Sequence, residues 1–161
     1  DVVSRFNQIC VDGDTSTNDT VILLANGLAE NTCIAAEGGS FELFCEALSR
    51  VTVYLAKRMA RDGEGATKLI ECKVSGAPDE KTARAVSKSV IASDLFKEAM
   101  FGQDANWGRV LCAIGYTEGD FSTENIDVTM GSSKGSVLVC KAQDMRSSAR
   151  RRLLRYFRRK R

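Results

Sequence analysis

The stretch FELFCEALSRVTVYLAKRMARDGEGATK, residues 41–68, sets the frame for the whole chain. Phe41, Phe44, Leu48, Val51, Leu55 and Met59 return at three- and four-residue steps over about six helical turns, which predicts an amphipathic helix over 41–61. Gly63 and Gly65 end that pattern on either side of Glu64. Downstream, Ile70, Cys72 and Val74 alternate with polar neighbours and predict a strand over 69–74. Pro78 before Asp79-Glu80 reads as a helix start with acids at its positive end, and Ala83, Val86, Val90 and Leu95 mark the inner face of a helix over 79–100. A loop from Gly102 to Gly108 leads to a short helix over 109–115. Strands over 125–130 and 135–140 are joined by Gly131-Ser132-Ser133-Lys134-Gly135 as a hairpin. Upstream, residues 1–11 read as a short strand or a helix-to-strand passage. The polar run from Asp12 to Thr20 offers caps for a helix over 19–26, stopped by Gly27. Long helices with intervening strands, and no internal repeat, imply an α+β layered fold.

The chain has 161 residues, 43% of them apolar, which is enough for one globular domain with a core. It contains no histidine. That excludes Ser/His and Cys/His nucleophile pairs, an imidazole general base and any His-bearing zinc site. Six cysteines at 10, 33, 45, 72, 112 and 140 form no Cys-x-x-Cys pair and mostly have apolar neighbours, so buried thiols in a reducing cytoplasm are expected rather than a disulfide framework or a metal site. No apolar run is long enough for a membrane span, and the N-terminus has no signal-peptide pattern. The chain begins at Asp1 without Met, as a processed chain or a fragment would.

The net charge of +2 hides a strong asymmetry. Residues 146–161 carry nine Lys/Arg and no acid, while residues 1–145 carry fourteen basic and twenty-one acidic side chains. An acidic body therefore precedes a basic tail.

Three loops carry more polar chemistry than packing requires. Asp12 to Thr20, with Asp12, Asp14, Thr17, Asn18 and Asp19, can either orient a polar substrate or bond to itself as a turn and cap. In Asp62 to Lys68 the two glycines leave the Glu64 carboxylate unhindered at the end of a long helix; it can take a substrate ammonium group or stand as a solvated acid beyond a helix stop. In Phe101 to Arg109, the single tryptophan, Trp107, reads as a loop anchor framed by Asp104, Asn106 and Arg109. Gly38-Gly39-Ser40 lacks the spacing of a nucleotide-binding loop, and no cysteine has an evident base beside it.

Together, Phe6-Asn7, the run Val11 to Val21, the run Asp62 to Lys68, and Phe101-Gly102 with Asn106 to Arg109 resemble the β chain of the ornithine acetyltransferases, the glutamate N-acetyltransferases of arginine biosynthesis. The motifs lie in the family's order and cover residues 1–140. The resemblance implies a layered helix/sheet sandwich of the ornithine acetyltransferase or DmpA-like type, with residues 1–145 as part of the β-chain domain. It also implies acetyl transfer from N-acetylornithine to L-glutamate through an acetyl-threonine intermediate. The nucleophilic threonine would lie upstream of Asp1, freed by autocatalytic cleavage and using its own amino group as base, which suits a chain without histidine. No residue of this chain is then catalytic in its own right. Glu64 matches the family's substrate-binding glutamate, and Asp12, Asp14, Thr17, Asn18, Asp19, Lys68, Asn106 and Arg109 lie in supporting motifs. The resemblance implies no cofactor and no metal, with acetyl-CoA as a further co-substrate of the parent enzyme. It implies a cytoplasmic α2β2 heterotetramer with the α chain of the same precursor, which holds the oxyanion, and neither nucleic acid nor membrane as partner. The sequence departs from the family's usual pattern at Ala105, where proline is frequent, and at Lys97-Glu98, where Lys-Thr is usual. A C-terminal segment that supplies an asparagine and a hydroxyl residue has no match.

After Asp144 the resemblance stops. Permitted codons for Ser148 to Phe157, read one base earlier, encode a lysine- or glutamate-rich helical segment of the family's kind, so a frameshift is the expected origin of the tail. Two other readings stand beside the transferase. In one, the tail is an electrostatic arm for nucleic acid or an anionic membrane, with Leu153, Leu154, Tyr156 and Phe157 interleaved among its arginines. In the other, the chain belongs to a related N-terminal-nucleophile aminopeptidase.

Overall fold

A computed structural model of the chain describes residues 5–142. They form two compact units, one up to Leu69 and the other from Ile70. The basic tail over 146–161 lies outside the described residues.

The first unit is organised on one helix. A 3-10 turn at Phe6–Gln8 precedes a long irregular segment, and α1 then runs over Gly39–Arg61. The expected helix is present, starting two residues early at the Gly38-Gly39 pair. Its covered face differs from the expected one. Leu48, Ser49, Thr52, Val53, Ala56, Met59 and Ala60 are buried or half-buried, while Phe44 and Val51 are 54% and 56% exposed. At 100° per residue the two stripes lie roughly a quarter turn apart. The side chains of Ser49, Ala56 and Ala60 are small enough for the N-terminal segment to approach, and Arg5 Nη2 donates to Ser49 Oγ at 2.6 Å to hold it there.

The helix expected over 19–26 does not form; that segment is irregular. Ser16 of the polar run bonds within the run instead, and Ile22, Leu23 and Leu24 stay largely uncovered by the described residues, with Leu24 91% exposed. A helix of eight residues with β-branched side chains at its start has too little burial to offset nucleation.

The second unit holds the larger core. Residues 70–75 alternate between half-buried and exposed as expected, with Ile70, Cys72 and Val74 against the core. They are not a strand, because no neighbouring segment among the described residues supplies a ladder. The helix expected over 79–100 is two helices, α2 at Glu80–Ala92 and α3 at Asp94–Phe101. Ser93 makes the break: its backbone is extended, and its Oγ accepts from Phe96 N at 3.3 Å and so caps a new helix with Asp94 in its first turn. Asp79 caps α2 in the same way, accepting from Thr82 N at 2.7 Å.

Helix α4 covers Trp107–Gly115 and packs on α2 through Ala113, which is fully buried. The Ala113 carbonyl accepts from Ser89 Oγ at 2.8 Å and from Thr117 Oγ1 at 2.9 Å. Strands β1 at Val128–Ser132 and β2 at Gly135–Cys140 form the expected hairpin, antiparallel and closed by Ser133-Lys134. Asp127 Oδ1 accepts from Ala142 N at 2.8 Å and ties its open end. Val86, Val90, Phe96, Val110, Ala113, Ile114, Val128 and Cys140 make one cluster, with helices and hairpin contributing to the same core. The architecture is α+β.

All six cysteines are thiols, but the expected burial holds only for Cys140. Cys10 and Cys72 are half-buried, and Cys33, Cys45 and Cys112 are exposed. Apolar neighbours in sequence do not bury a helical side chain, since each residue turns about 100° from the last: Cys112 faces outward between Leu111 and the buried Ala113. Partial burial pushes the Cys72 thiol pKa up.

Candidate functional site

The first unit brings two of the polar motifs together. The Cα of Gly63 lies under Val11: a Cβ placed there would be 3.3 Å from Val11 Cγ1, 3.6 Å from the Ala60 carbonyl oxygen and 3.8 Å from Ala66 Cβ. Asp12 follows Val11 directly and Glu64 follows Gly63, so the start of the polar loop and the end of α1 meet at one point.

The turn carrying Glu64 is defined by backbone bonds. Asp62 N donates to the carbonyls of Arg58 at 3.0 Å and Met59 at 3.2 Å, closing α1, and Ala66 N donates to Gly63 O at 2.9 Å. The two glycines serve different physical needs. Gly65 has φ +69°, the left-handed region that side chains disfavour, whereas at Gly63 a side chain would press on Val11 and shift it by a few tenths of an ångström. Glu64 and Lys68 are exposed, so the carboxylate is free of the fold and open to a charged ligand.

The Asp12 to Thr20 loop is self-bonded. Asp12 Oδ1 accepts from Asp14 N at 2.8 Å, Ser16 Oγ accepts from Asn18 N at 3.3 Å and Asp19 N at 3.0 Å, and Thr20 Oγ1 donates to Asn18 O at 3.1 Å. Asp12, Asp14, Thr17, Asn18 and Asp19 are all exposed. The loop thus spends part of its polar capacity on its own shape and presents three carboxylates to solvent, of which Asp12 adjoins the contact with the Glu64 turn. Ser16, absent from the candidate residues, is its organising acceptor. Its position two and three residues before Asn18 and Asp19 is the sequence signal of such a turn.

Asn106 and Arg109 belong to the second unit and work inside it. Asn106 Nδ2 donates to Asp104 Oδ2 at 3.1 Å, and Asp104 N donates to Ala99 O at 2.8 Å, folding the loop back on the end of α3. Arg109 donates from Nη1 to the Leu95 carbonyl and lies 3.8 Å from Glu98 Oε2, linking α4 to α3. Trp107 is half-buried against the core, so the expected loop anchor with its polar frame is what the structure contains. No group of three or more metal-ligating side chains occurs among the described residues, and no helix there is long and apolar enough to cross a membrane.

Comparison with known proteins gives this arrangement a context. A family model described as the ArgJ family matches residues 1–160, past the point where the motif resemblance stops. The arginine biosynthesis bifunctional protein ArgJ of Caldanaerobacter subterraneus is 51% identical over 135 residues, which are 84% of this chain and 34% of that protein. The protein of the same name from Listeria monocytogenes is 52% identical over 130 residues, 81% of this chain and 33% of that protein. This chain spans about a third of the length of these curated relatives. The crystal structure of arginine biosynthesis bifunctional protein argJ from Bacillus halodurans superposes with a TM-score of 0.78 at 45% identity, covering 88% of this chain and 65% of that one.

Proposed function

This chain belongs to the ArgJ family, and on that premise we propose that it is the β-chain part of a glutamate N-acetyltransferase, in which Glu64 holds the ammonium group of the amino-acid substrate. The observation that carries the reading is the Val11–Gly63 contact, which brings the start of the polar loop, at Asp12, to the Glu64 turn. An exposed carboxylate on a turn closed at both sides offers a fixed ion-pair partner to ornithine or glutamate. Asp12 beside that contact, with the exposed Asp14 and Asp19 further along the same loop, adds negative charge to this unit, which favours a cationic substrate.

The reaction is acetyl transfer from N-acetylornithine to L-glutamate. A threonine Oγ attacks the acetyl carbonyl, an ester bond forms, the amide C–N bond breaks and ornithine leaves as its nitrogen takes the proton. The glutamate amine then attacks the ester and regenerates the threonine. The threonine and the oxyanion donors come from polypeptide outside this chain, with the freed α-amino group as base. The shares covered support two chains in the family: this chain covers 65% of the solved chain but 34% of a curated relative, so that solved chain is itself roughly half the length of the relative. The partner is then the α chain of one precursor in a cytoplasmic α2β2 assembly, and acetyl-CoA is a second acetyl donor.

The test is reconstitution. This chain combined with the remaining polypeptide of an ArgJ relative should form N-acetylglutamate from N-acetylornithine and glutamate with ping-pong kinetics, while the chain alone forms none. Peptide cleavage without acetyl transfer would replace the reading with that of an aminopeptidase.

A further inference from the structure

We propose that Val11 is a positioning residue for Glu64: its side chain, seated against Gly63, sets where the Glu64 carboxylate stands relative to the polar loop. The proposal rests on the reading of Glu64 as the ammonium ligand. Gly63 is half-buried while Asp62, Glu64 and Gly65 are exposed, so within this turn the residue before Glu64 is the one that faces inward. There it meets Val11 Cγ1, 3.3 Å from where a Cβ would stand, closer than ordinary van der Waals contact. Val11 is 49% exposed, but its β-branched side chain has restricted χ1 freedom, so its methyl resists displacement on the side that faces Gly63.

On one side of the contact, Glu64 is tied through Gly63 and Asp62 to the last turn of the 23-residue α1. On the other, Val11 leads into the turn in which Asp12 accepts from Asp14 N. One steric contact thus registers two segments some fifty residues apart in sequence. Ligand binding that uses both the Glu64 carboxylate and the loop carboxylates depends on that register, because a charge-assisted hydrogen bond weakens steeply with misalignment.

The experiment uses the isotope-labelled full chain. Without ligand, Gly63→Ala should move the amide resonances of Val11 to Asp14 as well as Glu64, and adding Val11→Ala, which removes Cγ1, should return them toward wild type. Unmoved resonances over 11–14 overturn the proposal. With ornithine as probe, Gly63→Ala should weaken binding roughly fivefold, a size common for residues in contact, and the double variant should restore it. Val11→Ala alone should weaken binding less, with α1 resonances unchanged to show that the fold is kept. Glu64→Gln should weaken the ornithine response about thirtyfold. If it does and Gly63→Ala binds like wild type, the positioning role falls while the Glu64 reading stands. If wild type gives no response, or Glu64→Gln responds like wild type, the Glu64 reading falls and the ligand-free resonances decide the Val11 contact.

Discussion

Beyond Ile70, three helices and a hairpin bury Val86, Val90, Phe96, Val110, Ala113 and Ile114 against one another; before it, a 23-residue helix buries only Ala56 among the described residues. The two units do not differ in apolar content so much as in the number of elements available to share it. In the second, α2, α4 and the hairpin converge, so each apolar side chain meets others from several directions. In the first, α1 has a stretch of irregular chain on one side, and Phe44, Val51, Tyr54 and Leu55 stay at the surface. The open unit is also the one that carries Glu64 and the hydroxyl- and carboxylate-rich loop. The residues proposed to meet the ligand sit where the chain is not committed to its own core.

The sharpest way to break this comparison is to truncate one aromatic in each unit. Phe96→Ala, at a position 5% exposed, should cost about 3–5 kcal/mol in chemical denaturation, whereas Phe44→Ala, at 54% exposed, should stay within about 0.5 kcal/mol. Equal losses would mean that α1 is as well packed as the second unit. Next in size, Glu64→Gln should cost about 2 kcal/mol of substrate binding in the reconstituted enzyme, read as a raised KM, with the denaturation midpoint of the chain unchanged. A large stability loss instead would make Glu64 part of the fold. Ser93→Ala should destabilise the second unit by about 1 kcal/mol, because the cap that separates α3 from α2 is lost, and hydrogen exchange should quicken first at Phe96.

The smallest effect is one of pH. The Thr82 backbone N–H, then its side chain, hold the Asp79 carboxyl below its ordinary value of 3.8. A depressed folded pKa means that the contribution is present above the unfolded value and fades as pH falls through the folded one. Melting of the second unit should therefore become acid-sensitive below about pH 4, and Asp79→Asn should flatten that part of the profile. An unchanged slope in the variant would remove Asp79 as its source.

Much of the second unit was legible in residue spacing. The hairpin followed from its glycine-flanked turn, α4 from its apolar run, and the Trp107 anchor from a lone large aromatic among Asp104, Asn106 and Arg109. The division at Ser93 is hidden in the sequence because Val86, Val90 and Leu95 keep nearly helical spacing across it. A serine followed by an aspartate was the available sign, and it is the hydroxyl bond to Phe96 N that decides the break. The helix expected over 19–26 failed for the opposite reason: polar residues able to cap were present in sequence, but Asp12 and Ser16 close local turns within the run instead.

The sequence by itself determined α1, the turn that lifts Glu64 off its end, and the absence of any imidazole chemistry, because helical periodicity, glycine placement and composition are local properties. Which face of α1 is covered, where α2 ends, and that Val11 rests on Gly63 were decided by tertiary structure. Each depends on which surfaces reach one another across long stretches of chain, and side-chain size at the meeting point, which spacing alone does not encode, selects among the faces a helix offers.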